Sequence, residues 1–226
     1  MEKDFSSIFS KKPKIKVCGM RHADNINAIA ALNPEFMGFI FYAPSPRFVQ
    51  DMAPQVLQQL SPKIMKIGVF VNETAENILE TVKKYTLNGV QLHGNESPDF
   101  CYNFRSAGLL VLKAFQIAEA SDFNTMEHYS DTCDYYVFDT KTEAYGGSGR
   151  KFDWTLLDKY RHETPFLLSG GLSKDDANEI LEIKHPQFAG VDINSKFEIS
   201  PGLKNADWVT AFVAEIKSPL APSLVP

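Results

Sequence analysis

Short runs of apolar, β-prone residues recur along this chain, and between them the apolar positions repeat at helical spacing. The runs are Ile15–Cys18, Phe36–Phe41, Ile64–Val71, Val90–His93, Leu109–Ala114, Tyr135–Asp139, Phe166–Ser169 and Phe188–Ile193. Most are continuous rather than alternating, the pattern of parallel strands covered on both faces. The stretches between them predict helices over Ala23–Leu32, Pro54–Leu60, Thr74–Tyr85, Pro98–Ala107, Asp153–Tyr160, Ser173–Ile183 and Lys204–Ile216. A weaker helical pattern covers Glu119–Tyr129. Thr74 and Ser173 suit N-caps, because a hydroxyl can accept from the free amides of a first turn. Glu76 and Asp176 place acidic charge where the helix dipole favours it. Strand–helix units repeated eight times with short connections predict an α/β fold, the (βα)8 TIM barrel, as a single domain. An open doubly wound sheet is the rival. The expected barrel spans 14–217, with an N-terminal tail over 1–13 and a C-terminal tail over 218–226.

Composition narrows the class. The chain has 226 residues, 44% hydrophobic and 23% charged, with a net charge of −5, as in ordinary globular domains. Its basic residues are scattered, which argues against nucleic acid and against a membrane surface as partners. The apolar run Phe36–Tyr42 is far too short to span a bilayer. Met1–Lys12 lack the apolar core of a secretory signal. Cys18, Cys101 and Cys133 are an odd, sparse set, which fits a reduced, cytoplasmic setting better than a disulfide framework. They also lack the paired short spacings of a zinc site with His93.

In a (βα)8 barrel the C-terminal strand ends share one face, and chemistry is mounted there. Read in order, that face holds Cys18, Arg47, Asn72, His93, Lys113, Asp139, Gly170-Gly171, and Asp192 followed by Asn194-Ser195. Cys18 has two readings, a small buried hydrophobe or a thiolate base, and the second needs a nearby cation, an anion-favouring amide or a helix N-terminus to lower its pKa. Lys16 is close in sequence, but its direction is open. Asp139 ends an apolar strand, where a lone carboxylate is costly unless hydrated, paired or functional. It either caps a loop or serves as a general acid. The glycines of Ala144-Tyr145-Gly146-Gly147-Ser148-Gly149 permit close approach to a ligand. Gly170-Gly171 and Asn194-Ser195 follow strands seven and eight, where barrels commonly bind phosphate. Pro44-Ser45-Pro46-Arg47 presents a guanidinium on a stiff turn, suited to a carboxylate. His93 is taken as structural, and Trp154 and Trp208 as packing against the barrel.

These segments resemble the phosphoribosylanthranilate isomerase family, ribulose-phosphate-binding barrels of tryptophan biosynthesis. The resemblance rests on Lys16-Val17-Cys18-Gly19, on Gly38-Phe39-Ile40-Phe41 with Ser45-Pro46-Arg47, and on Gly68-Val69-Phe70-Val71-Asn72. It continues through Val90-Gln91-Leu92-His93-Gly94-Asn95-Glu96, Asp139 with Gly146-Gly147-Ser148-Gly149, and Phe152-Asp153-Trp154. Ser169-Gly170-Gly171-Leu172 and Gly190-Val191-Asp192 with Glu198 and Pro201-Gly202-Leu203-Lys204 complete it. It implies an Amadori rearrangement of phosphoribosylanthranilate, with Asp139 as general acid and Cys18 as general base. Arg47 would hold the anthranilate carboxylate. The backbone around Gly147, Gly171, Asn194 and Ser195 would hold the phosphate. No metal or organic cofactor is implied, the partner is a small-molecule substrate, and the protein would be a monomer or homodimer. The chain departs from the family's pattern at Met20-Arg21, where a hydroxylic residue is usual, and at Lys196, where glycine is usual. Other phosphate-binding barrels fit less well. An indole-glycerol-phosphate synthase should offer a catalytic Lys with paired Glu residues, and a ribulose-phosphate epimerase several metal-binding His. A silent sugar-phosphate-binding barrel would need neither Cys18 nor Asp139.

Overall fold

Strands form where the apolar runs predict them: Lys14–Val17 (β1), Phe36–Ile40 (β2), Met65–Phe70 (β3), Gly89–Leu92 (β4), Leu110–Ile117 (β5), Tyr135–Thr140 (β6), Phe166–Leu168 (β7) and Phe188–Ile193 (β8). In the computed structural model, which describes residues 12–49, 51–141 and 151–218, they pair in parallel in chain order. β8 returns to β1, so the sheet closes as a barrel rather than opening as a doubly wound sheet. The closing pair sets Lys16 opposite Asp192 and Val17 opposite Ile193. Parallel neighbours need a crossover outside the sheet, and closure removes both edges.

Alternation decides what each strand residue meets. One set of side chains packs outward against the helices, including Ile15, Val17, Met37, Phe39, Phe70, Val90, Phe138 and Phe166. The other fills the barrel: Phe36, Ile67, Leu112, Ala114, Val137 and Leu167 form a separate internal cluster. Above that plug the inward positions turn polar and open upward.

The helices are Ala23–Ala30 (α1), Gln55–Gln58 (α2), Ala75–Tyr85 (α3), Pro98–Ser106 (α4), Ala177–Leu181 (α5) and Ala206–Lys217 (α6). Thr74 caps α3 through its hydroxyl, which accepts from Asn77 N–H at 3.3 Å. Ser173 N–H donates to Asp176 at 2.7 Å, one half of a reciprocal capping box. Several ends differ from expectation. Ala120–Tyr129 and Trp154–Lys159 are 3-10 helices, and Ser173–Ile183 divides into a 3-10 turn at Lys174–Asp176 followed by α5. Lys204 is not in the last helix. With Leu203 it forms β10, which pairs antiparallel with Glu198–Ser200 (β9), and α6 begins only after Asn205, whose side chain accepts from Trp208 N–H at 3.1 Å. Trp154 packs on the core, whereas Trp208 is 39% exposed.

A polar clasp joins the two ends of the barrel on the face away from the strand C-termini. Lys217 of α6 donates to Pro13 O at 3.0 Å and to Glu35 at 2.6 Å, and Glu35 accepts from Ile15 N–H at 2.8 Å. Among the described residues no helix is long and apolar enough to cross a membrane.

Candidate active site

The strand C-termini surround a cavity of about 360 Å³ that opens at the barrel mouth. Cys18, Arg47, His93, Asp139, Gly170, Gly171, Asp192, Asn194 and Ser195 all line it. Asn72 and Lys113 do not. Asn72 accepts from Asn95 N–H at 2.7 Å, and Lys113 pairs with Glu96 at 3.2 Å while donating to Gly94 O at 2.8 Å. Both brace the rim after β4. Lys196 is exposed on the turn after β8 and lies outside the lining. Gly147 and its glycine-rich loop fall outside the described residues.

Cys18 follows β1 and is nearly fully buried. Lys16, two residues earlier on the same face of the strand, points inward beside it and is wholly buried. Its ammonium donates to Asp192 Oδ2 at 2.8 Å. Gly38 of β2 makes room for them, since a Cβ there would stand 2.8 Å from Cys18 Sγ and 3.0 Å from Lys16 Nζ. Burial pushes the Cys18 thiol above its ordinary pKa, against the pull of the Lys16 ammonium and, further off, Lys204. For Lys16 burial acts to lower the pKa, but Asp192 and Cys18 more than offset it and hold the ammonium protonated.

Asp139 comes from β6, on the far side of the barrel. Its Oδ1 accepts from Thr140 N–H at 2.8 Å, and its Oδ2 lies 3.4 Å from His93 Nε2. The Gln91 side-chain nitrogen stands 2.9 Å from His93 Nδ1, so as placed the amide donates to that nitrogen. In the neutral ring the proton then sits on Nε2, facing Asp139. His93, read from sequence as structural, therefore stands beside the candidate acid.

Arg47 is held from behind. Its Nε contacts Glu198 Oε1 at 2.9 Å and Oε2 at 3.0 Å, and its Nη2 donates to Oε2 at 2.7 Å. Lys204 donates to Glu198 at 2.6 Å and to Asn194 at 2.7 Å. Burial would raise the Glu198 carboxyl, but Arg47 and Lys204 hold it below its ordinary range. One edge of the guanidinium is thus occupied, and its end-on edge is left for a ligand. Glu198 and Lys204 carry no local signal of this role; their place in the resemblance was the only pointer.

Gly170 and Gly171 have φ of +82° and +69°, a left-handed pair that only glycine adopts without strain. They bend the chain tightly over Asp139 and Thr140, the nearest neighbours of a Cβ at Gly170. Among the described residues no group of three or more His, Cys, Asp or Glu could hold a metal.

A polar cavity at the C-terminal strand ends of a closed parallel barrel is where (βα)8-barrel enzymes carry their chemistry. The family model for N-(5'-phosphoribosyl)anthranilate isomerase matches residues 15–215. A curated relative of that name from Parabacteroides distasonis is 48% identical over 209 residues, covering 91% of this chain and 94% of that protein. The crystal structure of phosphoribosyl anthranilate isomerase from Thermotoga maritima superposes with a TM-score of 0.77 at 32% identity, covering 91% and 98% of the two chains. A second solved isomerase, in complex with reduced 1-(o-carboxyphenylamino)-1-deoxyribulose 5-phosphate, has a TM-score of 0.74 at 28% identity and the same coverage. The chain belongs to the N-(5'-phosphoribosyl)anthranilate isomerase family, isomerases of tryptophan biosynthesis.

Proposed function

We propose that this protein converts N-(5-phospho-β-D-ribosyl)anthranilate to 1-(2-carboxyphenylamino)-1-deoxy-D-ribulose 5-phosphate, with Cys18 as general base and Asp139 as general acid. The observation that carries the reading is that these two groups, 121 positions apart in sequence, line one cavity from β1 and β6. Asp139 gives its proton to the ring oxygen, the bond from that oxygen to the anomeric carbon breaks, and the anilino nitrogen lone pair forms an iminium. Cys18 as thiolate then takes the proton from the neighbouring carbon, and the electron pair neutralises the iminium to give an enolamine. Tautomerisation yields the ketone. Each step moves a proton and the iminium is the electron sink, so no redox partner enters the balance.

The ends of the cavity suit the ends of this substrate. Arg47 offers its end-on edge to the anthranilate carboxylate, a bidentate match. The turns at Gly171 and at Asn194-Ser195 receive the phosphate, together with Gly147. Gripping both ends fixes the reacting carbons between base and acid, which lowers the entropic part of the barrier.

The test follows loss of the substrate's fluorescence after generating it in place. Rapid loss is expected for the wild type. Cys18→Ala and Asp139→Asn should each lower turnover by about 10²–10⁴-fold, the usual worth of a positioned acid or base. No loss in the wild type would overturn the reading, and an active Cys18→Ala would remove the base assignment.

A further inference from the structure

We propose that Lys16 is a positioning residue that stabilises the Cys18 thiolate, and that Asp192 competes with the sulfur for the same ammonium. This rests on Cys18 being the base. A general base must be ionised, yet its burial favours the neutral thiol. A cation placed in the same desolvated space is the remedy, and Lys16 is the one that reaches it.

Three observations place it there. Lys16 is wholly buried inside the barrel, where an unmatched charge is costly and an apolar side chain would pack with less penalty. Its ammonium and the Cys18 sulfur crowd the same point, the missing Cβ of Gly38. The barrel's closing register sets Asp192 opposite Lys16 with one carboxylate oxygen on the ammonium, while the other, Oδ1, has no hydrogen-bond partner among the described residues, and the residue lines the cavity. Two acids therefore share one cation. Of the remaining charged groups, Lys204 from β10 favours the thiolate at longer range. Burial pushes the Asp192 carboxyl above its ordinary pKa against the pull of Lys16, with Asp139 from β6 adding to the rise and His93 after β4 opposing it. As the carboxylate draws the ammonium away, the sulfur holds its proton; as it lets go, the thiolate forms.

Opposite signs make the test sharp. The rate of iodoacetamide alkylation at Cys18, resolved from Cys101 and Cys133 by peptide mass, is measured against pH in the full chain. Lys16→Met should raise the titration midpoint of Cys18 by about one unit or more. Asp192→Asn should lower it, because the ammonium is then left to the sulfur. Turnover of Lys16→Met at neutral pH should fall at least about tenfold, the acid limb of its pH profile should move up in step, and Lys16→Arg should restore part of both. Should Lys16→Met fail to fold with Asp192 unpaired, the double variant Lys16→Met with Asp192→Asn is compared with Asp192→Asn alone. A higher midpoint in the double variant supports the proposal, and equal midpoints overturn it. Midpoints unchanged, or moved in the same direction by both single substitutions, also overturn it. Alkylation reads the thiol whether or not it serves as the base, so an active Cys18→Ala would sink the base assignment and leave the titration result standing.

Discussion

The two walls of the cavity are built differently. On the β1–β8 side the functional groups are wired into ion pairs: Lys16 with Asp192 and Lys204 with Glu198, both buried, and Glu198 also with the half-buried Arg47. On the β4–β6 side Asp139 and His93 stand 3.4 Å apart, and among the described residues the carboxyl's other hydrogen bond is to the backbone amide of Thr140. On the proposed reading, the contrast follows from the chemistry asked of each wall. A carboxyl can gain or lose its proton beside water. A thiol in a dry site ionises only if cations come with it, and each cation then needs an anion of its own. Charge on one wall is a structural commitment; on the other it is a local matter.

The largest break in this contrast is expected from Glu198→Gln. Removing one partner of a buried pair leaves Arg47 and Lys204 without their anion, at a cost of about 3–5 kcal/mol, read in denaturant melts. The pH dependence carries a sign. Arg47 and Lys204 hold the Glu198 pKa below its ordinary value, so its stabilisation is full above that value and is lost as pH falls through the lowered folded one. Acid melts of the wild type should show this loss below about pH 4.5, and Glu198→Gln should flatten it. Gly38→Ala comes next. The added methyl would press on Sγ and Nζ together, and overpacking of this kind costs about 1–3 kcal/mol; a melting temperature equal to that of the wild type would show that the two groups can move apart. Asp139→Asn should have the smallest effect on stability, under about 1 kcal/mol, since the amide oxygen can still accept from Thr140 N–H. If it destabilises as much as Glu198→Gln does, the two walls are alike and the contrast fails.

Much of this was legible from residue order. Strands covered on both faces must be apolar throughout, so β2, β3 and β8 stand out against helices whose apolar positions are spaced. Cys18, Asp139, Gly171, Asn194 and Ser195 were expected at the strand ends and do line the cavity. The direction of Lys16 was also available, because residues two apart on a strand share a face: a cysteine turned inward carries its lysine with it. Other features had no local signature. Arg47 meets Glu198 across 151 positions, and only the closed ring brings them together. Lys204 looks like the start of a helix until Asn205 takes the cap. Trp154–Lys159 takes the 3-10 form after its Asp153 cap, and apolar spacing over six residues cannot distinguish that from an α-helical turn.

Barrel closure also orders events in time. The bond from Lys16 to Asp192 spans 176 positions, and the strand carrying Asp192 is the last of the ring to be synthesised. Contacts so distant in the chain form late, after the loop entropy between them has been overcome. Until β8 docks, Lys16 has neither its carboxylate nor a dry interior, and Cys18 is an ordinary thiol in water. On the proposed assignment of Cys18 as base, the nascent chain carries that base in a dormant form, and the final strand that completes the fold also sets the chemistry in place.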